Sequence, residues 1–212
     1  MLTCPHIDTV DLNNPAPSFA NALTFHLGMS WEAAPPPFSP GVVRMGWRGD
    51  RILYYAELTD AHLFTTARQR NERLWETGDT FEFFAGVAGD PRYVEYHCAP
   101  NGVVMQLLLP PRLFFSEQEM AAEGFLPCTV DDDSTARVLP FTGGWAVYGE
   151  FCAKVFGVTA DSLLGQEWDI NFSRYDCASL DEKPMTTSSV QFPPDVPLWF
   201  HRREYWPRVK CM

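Results

Sequence analysis

Residues 79–109 read "DTFEFFAGVAGDPRYVEYHCAPNGVVMQLLL". Three runs, "DTFEFFAGV", "RYVEYHCA" and "GVVMQLLL", are joined by Gly89-Asp90-Pro91 and by Asn101-Gly102. Short runs rich in aromatic and β-branched residues, bounded by such turn residues, read as strands, and Asn-Gly is the strongest short hairpin signal. The stretch therefore predicts a three-strand antiparallel meander. Strand alternation sends Glu82 to the opposite face from Phe81 and Phe83, and it puts Glu95 and His97 on one shared face.

The same grammar extends on both sides. "GVVRMGWRG" and "DRILYYAELTD" flank a hairpin turn at Gly49-Asp50, and "AHLFTTARQRNERLWETG" is a polar excursion with room for a helical turn. Later come "TARVLPF", "GGWAVYGEFCA" and "EWDINFSRYDC", and the tail "PLWFHRREYWPRVKCM" closes with a last strand. One short helix is expected in "SEQEMAAEGF", where Ser116 is followed three residues on by Glu119 in a capping box. Nine or ten short strands with so little helix predict an all-β fold, a jelly-roll-type antiparallel β-sandwich with one short helix. The four-proline stretch "WEAAPPPFSPG" (31–41) reads as a stiff connector. It divides the chain into residues 1–41, a lead-in and connector packed on the domain, and 42–212, the sandwich.

The 212 residues suit one such domain. A hydrophobic fraction of 46%, of which aromatics supply much, excludes disorder over most of the chain. A net charge of −11 argues against a nucleic-acid or anionic-membrane partner. No signal peptide opens the sequence, so the expected location is cytoplasmic, or secreted with a leader already removed. The six cysteines form no CxxC pair. The expectation is reduced thiols, with Cys98 and Cys152 as small buried hydrophobes.

Trp75 raises the functional question. It sits in "ERLWETGDT", among Glu, Arg, Thr, Gly and Asp rather than in an apolar run. The residues alone allow it to be a cap on the sandwich edge.

The order of the pieces resembles the family 9 carbohydrate-binding modules, from about Val42 to the C-terminus. The resemblance is carried by "VVRMGWRGDRILYYAELTD", "LWETGDTFEFF", "YVEYHCAPNG", "GGWAVYGEFCA", "EWDINFSRYD" and "FHRREYWPRV". It implies a β-sandwich that binds sugars, typically the ends of plant-polysaccharide chains, often beside xylanases, and it implies no catalysis. In the family's W-E-x-x-D-x-x-E segment the tryptophan, here Trp75, is one plate of an aromatic clamp on a sugar ring. Large rigid indoles suit the apolar faces of a pyranose, and polar side chains suit its hydroxyl rim. Glu82 matches the rim carboxylate; its other reading is a solvated position paired with Arg92. His97 stands where the family carries an arginine. Trp199 is the second plate by spacing, with Trp206 as its rival. Asn171 is kept from the family's N-x-Q-x-N strand, but Ser173 replaces the middle amide, and Arg174 and Tyr175 are departures. The expected ligand-binding set is Trp75, Glu82, His97, Asn171 and Trp199, with a mono- or oligosaccharide as ligand and an association with glycoside hydrolases.

The same residues raise other chemistry. The resemblance allows a structural calcium, but Asp131, Asp132 and Asp133 are consecutive and read as a solvated turn. Cys and His spacings match no zinc site. Glu82 and Glu95 are the carboxylates that a glycan-processing hydrolase would need. Wider kinship with haem-binding DOMON-type sandwiches directs attention to Met45, Met105, His97 and His201 as axial ligands. An interaction module that has lost its sugar site is the remaining alternative. Dinucleotide, P-loop, serine-hydrolase and zinc-protease motifs are absent from the sequence.

Overall fold

The computed structural model describes residues 1–28, 39–109, 128–129, 133–159, 163–193 and 200–212. Thirteen strands run among them: β1 (Leu2–Cys4), β2 (Leu23–Leu27), β3 (Gly41–Arg48), β4 (Arg51–Thr59), β5 (Thr80–Val87), β6 (Tyr93–Cys98), β7 (Val104–Leu109), β8 (Cys128–Thr129), β9 (Thr135–Phe141), β10 (Gly144–Cys152), β11 (Glu167–Asp176), β12 (Met185–Ser188) and β13 (Arg208–Cys211). They form two sheets. The larger has the order β1-β13-β11-β5-β6-β7-β8, with β12 also on β11, and the smaller the order β2-β3-β4-β10-β9. Pairing is antiparallel except between β1 and β13.

This is the expected β-sandwich, and the meander of residues 79–109 is its β5-β6-β7. The Gly49-Asp50 hairpin is also present, with Arg48 paired to Arg51 and Gly49 at φ 59°. The helix expected at residues 116–125 lies outside the described residues. Residues 1–28 contribute an edge strand to each sheet, and Ile7 and Phe19 cover Leu53, Tyr55, Ala146 and Tyr148 on the outer face of the smaller sheet.

Alternation fills the space between the sheets. Phe81, Phe83 and Ala85 of β5, Val94 and Tyr96 of β6, and Trp168, Ile170 and Phe172 of β11 meet Met45, Tyr54, Trp145, Val147 and Phe151 from the smaller sheet. Cys98 is buried in this core, as expected, and Cys152 is buried with it at the end of β10. Cys4, Cys98, Cys152, Cys177 and Cys211 are free thiols. Tyr54 lies 5.0 Å from the Phe83 ring and 5.7 Å from Phe81, in the middle of an aromatic stack. It reaches that place because its cross-strand partner is Gly149. A Cβ at Gly149 would lie 2.0 Å from the Tyr54 ring carbon that carries the hydroxyl. Gly149→Ala is therefore expected to displace a packed ring at a cost of about 1–3 kcal/mol. Thermal unfolding monitored by circular dichroism checks this; an unchanged midpoint would mean that the ring yields freely.

Candidate functional site

The outer face of the larger sheet collects the chain's unusual polar residues. The alternation that sends phenylalanines inward on β5 turns Glu82 and Phe84 outward, and on β6 it turns Tyr93, Glu95 and His97 outward. On β11 the outward residues are Asp169, Asn171, Ser173 and Tyr175. Register then aligns Ser188, Ser173, Glu82, His97 and Met105 in one row across β12, β11, β5, β6 and β7. The adjacent row runs Asn171, Phe84, Glu95, Leu107. Strands about 4.8 Å apart put such neighbours in side-chain contact.

The contacts in these rows are close. Nε2 of His97 lies 2.5 Å from Oε1 of Glu95 and 3.2 Å from Oε1 of Glu82. The Ser173 hydroxyl donates to Oε2 of Glu82. On the far side of Glu95, Nε2 of His201 stands 3.8 Å from Oε2, while Nδ1 of His201 is 2.8 Å from the Tyr93 hydroxyl. Asn171 Oδ1 accepts bonds of 3.0 Å from Ser188 and Ser189. Burial, opposed by His97 and Ser173 but reinforced by Glu95, pushes the Glu82 carboxyl up to about 7. Burial also lowers the basicity of His97 and of His201. The pairing of Glu82 with Arg92 does not occur. Arg92 turns instead to Asp90, at 2.6 Å.

Trp75 stands beside this row. It lies in a 3-10 turn, Leu74–Glu76, half-buried, with its ring 5.6 Å from the His97 ring at 70°. The guanidinium of Arg73 is 5.9 Å from its centre. The turn is fixed by the residues that follow it. Gly78 has φ 133°, and a Cβ there would strike the Phe64 carbonyl at 2.4 Å. The Asp79 carboxylate accepts backbone N–H bonds from Phe64 at 2.6 Å and Cys177 at 2.7 Å. The Thr80 hydroxyl donates to the Leu74 carbonyl. The "WETGDT" segment thus uses its small and acidic residues to hold Trp75 against β6.

A second apolar cluster covers the polar rows. Leu74 and Trp75 on one side, and Val190, Phe192, Phe200 and Trp206 on the other, pack with Phe84, Tyr93, Met105 and Leu107. Glu82 and His97 are each 2% exposed and Asn171 0%. Of the expected set, Trp75, Glu82, His97 and Asn171 share this face, with Trp75 at its margin. Trp199 lies outside the described residues. Trp206, its rival, is buried, and its indole N–H donates to the Phe200 carbonyl at 2.8 Å. Met45 lies between the sheets, away from His97 and Met105 on the outer face. Asp131 and Asp132 are outside the described residues, while Asp133 stands 3.7 Å from the Lys154 ammonium.

Arg203 pins the cover, and sequence reasoning missed it. Its guanidinium binds Asp169 at 2.9 Å and the carbonyls of Val87 at 2.7 Å, Asp90 at 2.5 Å and Arg92 at 3.0 Å. The space it occupies exists because residue 86 is glycine; a Cβ there would lie 2.6 Å from the guanidinium carbon. Arg203→Ala is expected to loosen residues 200–206 and to speed proteolytic cleavage in that segment at least several-fold. Limited trypsinolysis with mass mapping, at the sites of Arg202 and Arg208, measures it. An unchanged cutting rate would mean that the apolar contacts alone hold the cover.

Comparison with solved structures decides the fold. A carbohydrate-binding protein of uncertain assignment from Bacteroides uniformis superposes with a TM-score of 0.74 at 17% identity, covering 100% of this chain and 99% of that one. A family 9 carbohydrate-binding module from Caldicellulosiruptor kristjanssonii in complex with glucose gives 0.68 at 11% identity, covering 100% and 95%. A family 9 module from the same organism in complex with cellotriose gives 0.64 at 10% identity, covering 99% and 92%. The fold is that of the family 9 carbohydrate-binding modules. No protein-family model and no curated protein matches the chain. The match covers residues 1–28 as well.

Proposed function

We propose that this chain is a non-catalytic carbohydrate-binding domain that takes a mono- or oligosaccharide, or a polysaccharide chain end, on the outer face of its larger sheet. The observation that carries the reading is the position of Trp75, a half-buried indole held by a rigid turn at the margin of the Ser173–Glu82–His97 row. An indole there offers a flat apolar plate to a sugar face, next to groups that can bond hydroxyls. The likeness to modules solved with glucose and with cellotriose supports the same reading. In it Glu82, His97 and Asn171 are the hydroxyl partners, reached when the cover of residues 200–206 lifts, and Trp199 is the opposing plate. A role beside glycoside hydrolases belongs to the same proposal.

The burial of Glu82, His97 and Asn171 favours a second reading, an interaction module whose sugar site has closed. Calorimetric titration with glucose, xylose, cellobiose and xylobiose separates the two. Saturable binding of any of them supports the sugar reading. Silence at millimolar sensitivity favours the closed module.

A further inference from the structure

We propose that Glu82, Glu95 and His97 form a site for one divalent transition-metal ion of the zinc class, sunk beneath the cover on the outer face of the larger sheet. Ligand atoms of Glu82, Glu95 and His97 all lie within 4.8 Å of one another. Nε2 of His201 lies outside that spacing, 3.8 Å from the other Glu95 oxygen, Oε2. Zinc binds imidazole nitrogen and carboxylate oxygen at about 2.0–2.2 Å in a tetrahedron, so its ligand atoms sit about 3.3–3.6 Å apart. The 3.2 Å between His97 and Glu82 lies close to that edge length. The 2.5 Å contact of His97 with Glu95 must widen by roughly 1 Å to reach it.

Charge and donor type point the same way. Two carboxylates converge on a single ring nitrogen whose one N–H can serve only one of them well. Their side chains are 2% and 7% exposed. One divalent cation balances two carboxylates. Imidazole nitrogen with carboxylate oxygen suits zinc and its neighbours better than calcium or magnesium, which take oxygen alone. One neighbouring contact has the form of an outer shell: Ser173 holds the Glu82 oxygen that faces away from His97, while Nδ1 of His97 is buried without a hydrogen-bond partner.

The inference rests on the cluster alone and stands apart from the sugar reading, although Glu82 and His97 enter both. The test uses metal without sugar. Protein stripped with EDTA and dialysed is titrated with zinc chloride by calorimetry, and with cobalt(II) while its visible absorption is followed. The expected result is one ion per chain and a cobalt spectrum of four or five nitrogen and oxygen ligands. Glu82→Gln and His97→Gln should each weaken zinc binding by at least about 100-fold, and Ser173→Ala, which removes the bond to Glu82, by about 10-fold or more. Circular dichroism of each variant in EDTA confirms that it is folded. Zinc held equally by wild type and variants would place it on the exposed His6, His26 or His62 and overturn the site. So would the absence of zinc above the dialysis blank. Zinc binding without sugar binding would leave this site standing and remove the sugar reading; sugar binding without zinc would do the reverse.

Discussion

Trp75→Ala is expected to abolish sugar binding while leaving the fold nearly as stable as wild type. The indole is half-buried and touches the covering cluster at one side, whereas Trp145 and Trp168 are fully buried. A central aromatic contact in a binding site is typically worth at least about 2 kcal/mol, or roughly 30-fold in affinity. For a weak sugar ligand that loss puts binding below detection. Truncating a core tryptophan costs about 3–5 kcal/mol of stability, and Trp75 should cost well under that. Calorimetry and thermal unfolding on the same sample read both quantities. A fall in midpoint as large as that for Trp145→Ala would mean that Trp75 serves the core.

Arg174→Met should produce the largest loss of stability among single substitutions outside the apolar core. Arg174 is 1% exposed and lies on β11 of the larger sheet, yet its guanidinium reaches the end of β4 in the smaller one. It donates to the Thr59 carbonyl at 2.6 Å and to Asp60 at 2.7 Å, and it stands 3.3 Å from Asp176. Asp60 is 3% exposed; burial above all raises the carboxyl pKa of nearby Asp79, the Asp60 charge adds to this, and Arg174 opposes it. Removing the guanidinium leaves a buried carboxylate without its counter-charge, which costs about 3–5 kcal/mol. For a domain of this size that is a fall in thermal midpoint on the order of 10 °C. The double variant Asp60→Asn/Arg174→Met should recover part of it. A single variant that melts like wild type would show that the pair is inert.

The sequence made the meander legible because period-two alternation and Asn-Gly turns are local signals. Glu82 opposite Phe81, and Glu95 beside His97, follow from alternation alone. The resemblance added Trp75, and the "WETGDT" turn explains its position through Gly78 and Asp79. What the sequence could not disclose is long-range. His201 joins Glu95, 106 positions earlier in the chain, only because residues 200–206 fold back over β5 and β6. Arg203 finds its four acceptors only because Gly86 leaves room for it. A search for zinc by spacing reads along the chain, whereas this cluster is assembled across strands. Burial of Glu82 and His97 was equally hidden, since alternation tells which face a residue takes and not what lies over that face.

The central claim, that a sugar lies against Trp75 on the outer face of the larger sheet, is tested most directly by nuclear magnetic resonance. Indole N–H signals are followed while cellotriose is added, with the Trp75 signal assigned by Trp75→Phe. The Trp75 signal is expected to shift progressively and saturably, while those of Trp145 and Trp168 in the core stay still. A saturable shift confined to other tryptophans, or no shift with cellotriose in millimolar excess, would contradict it.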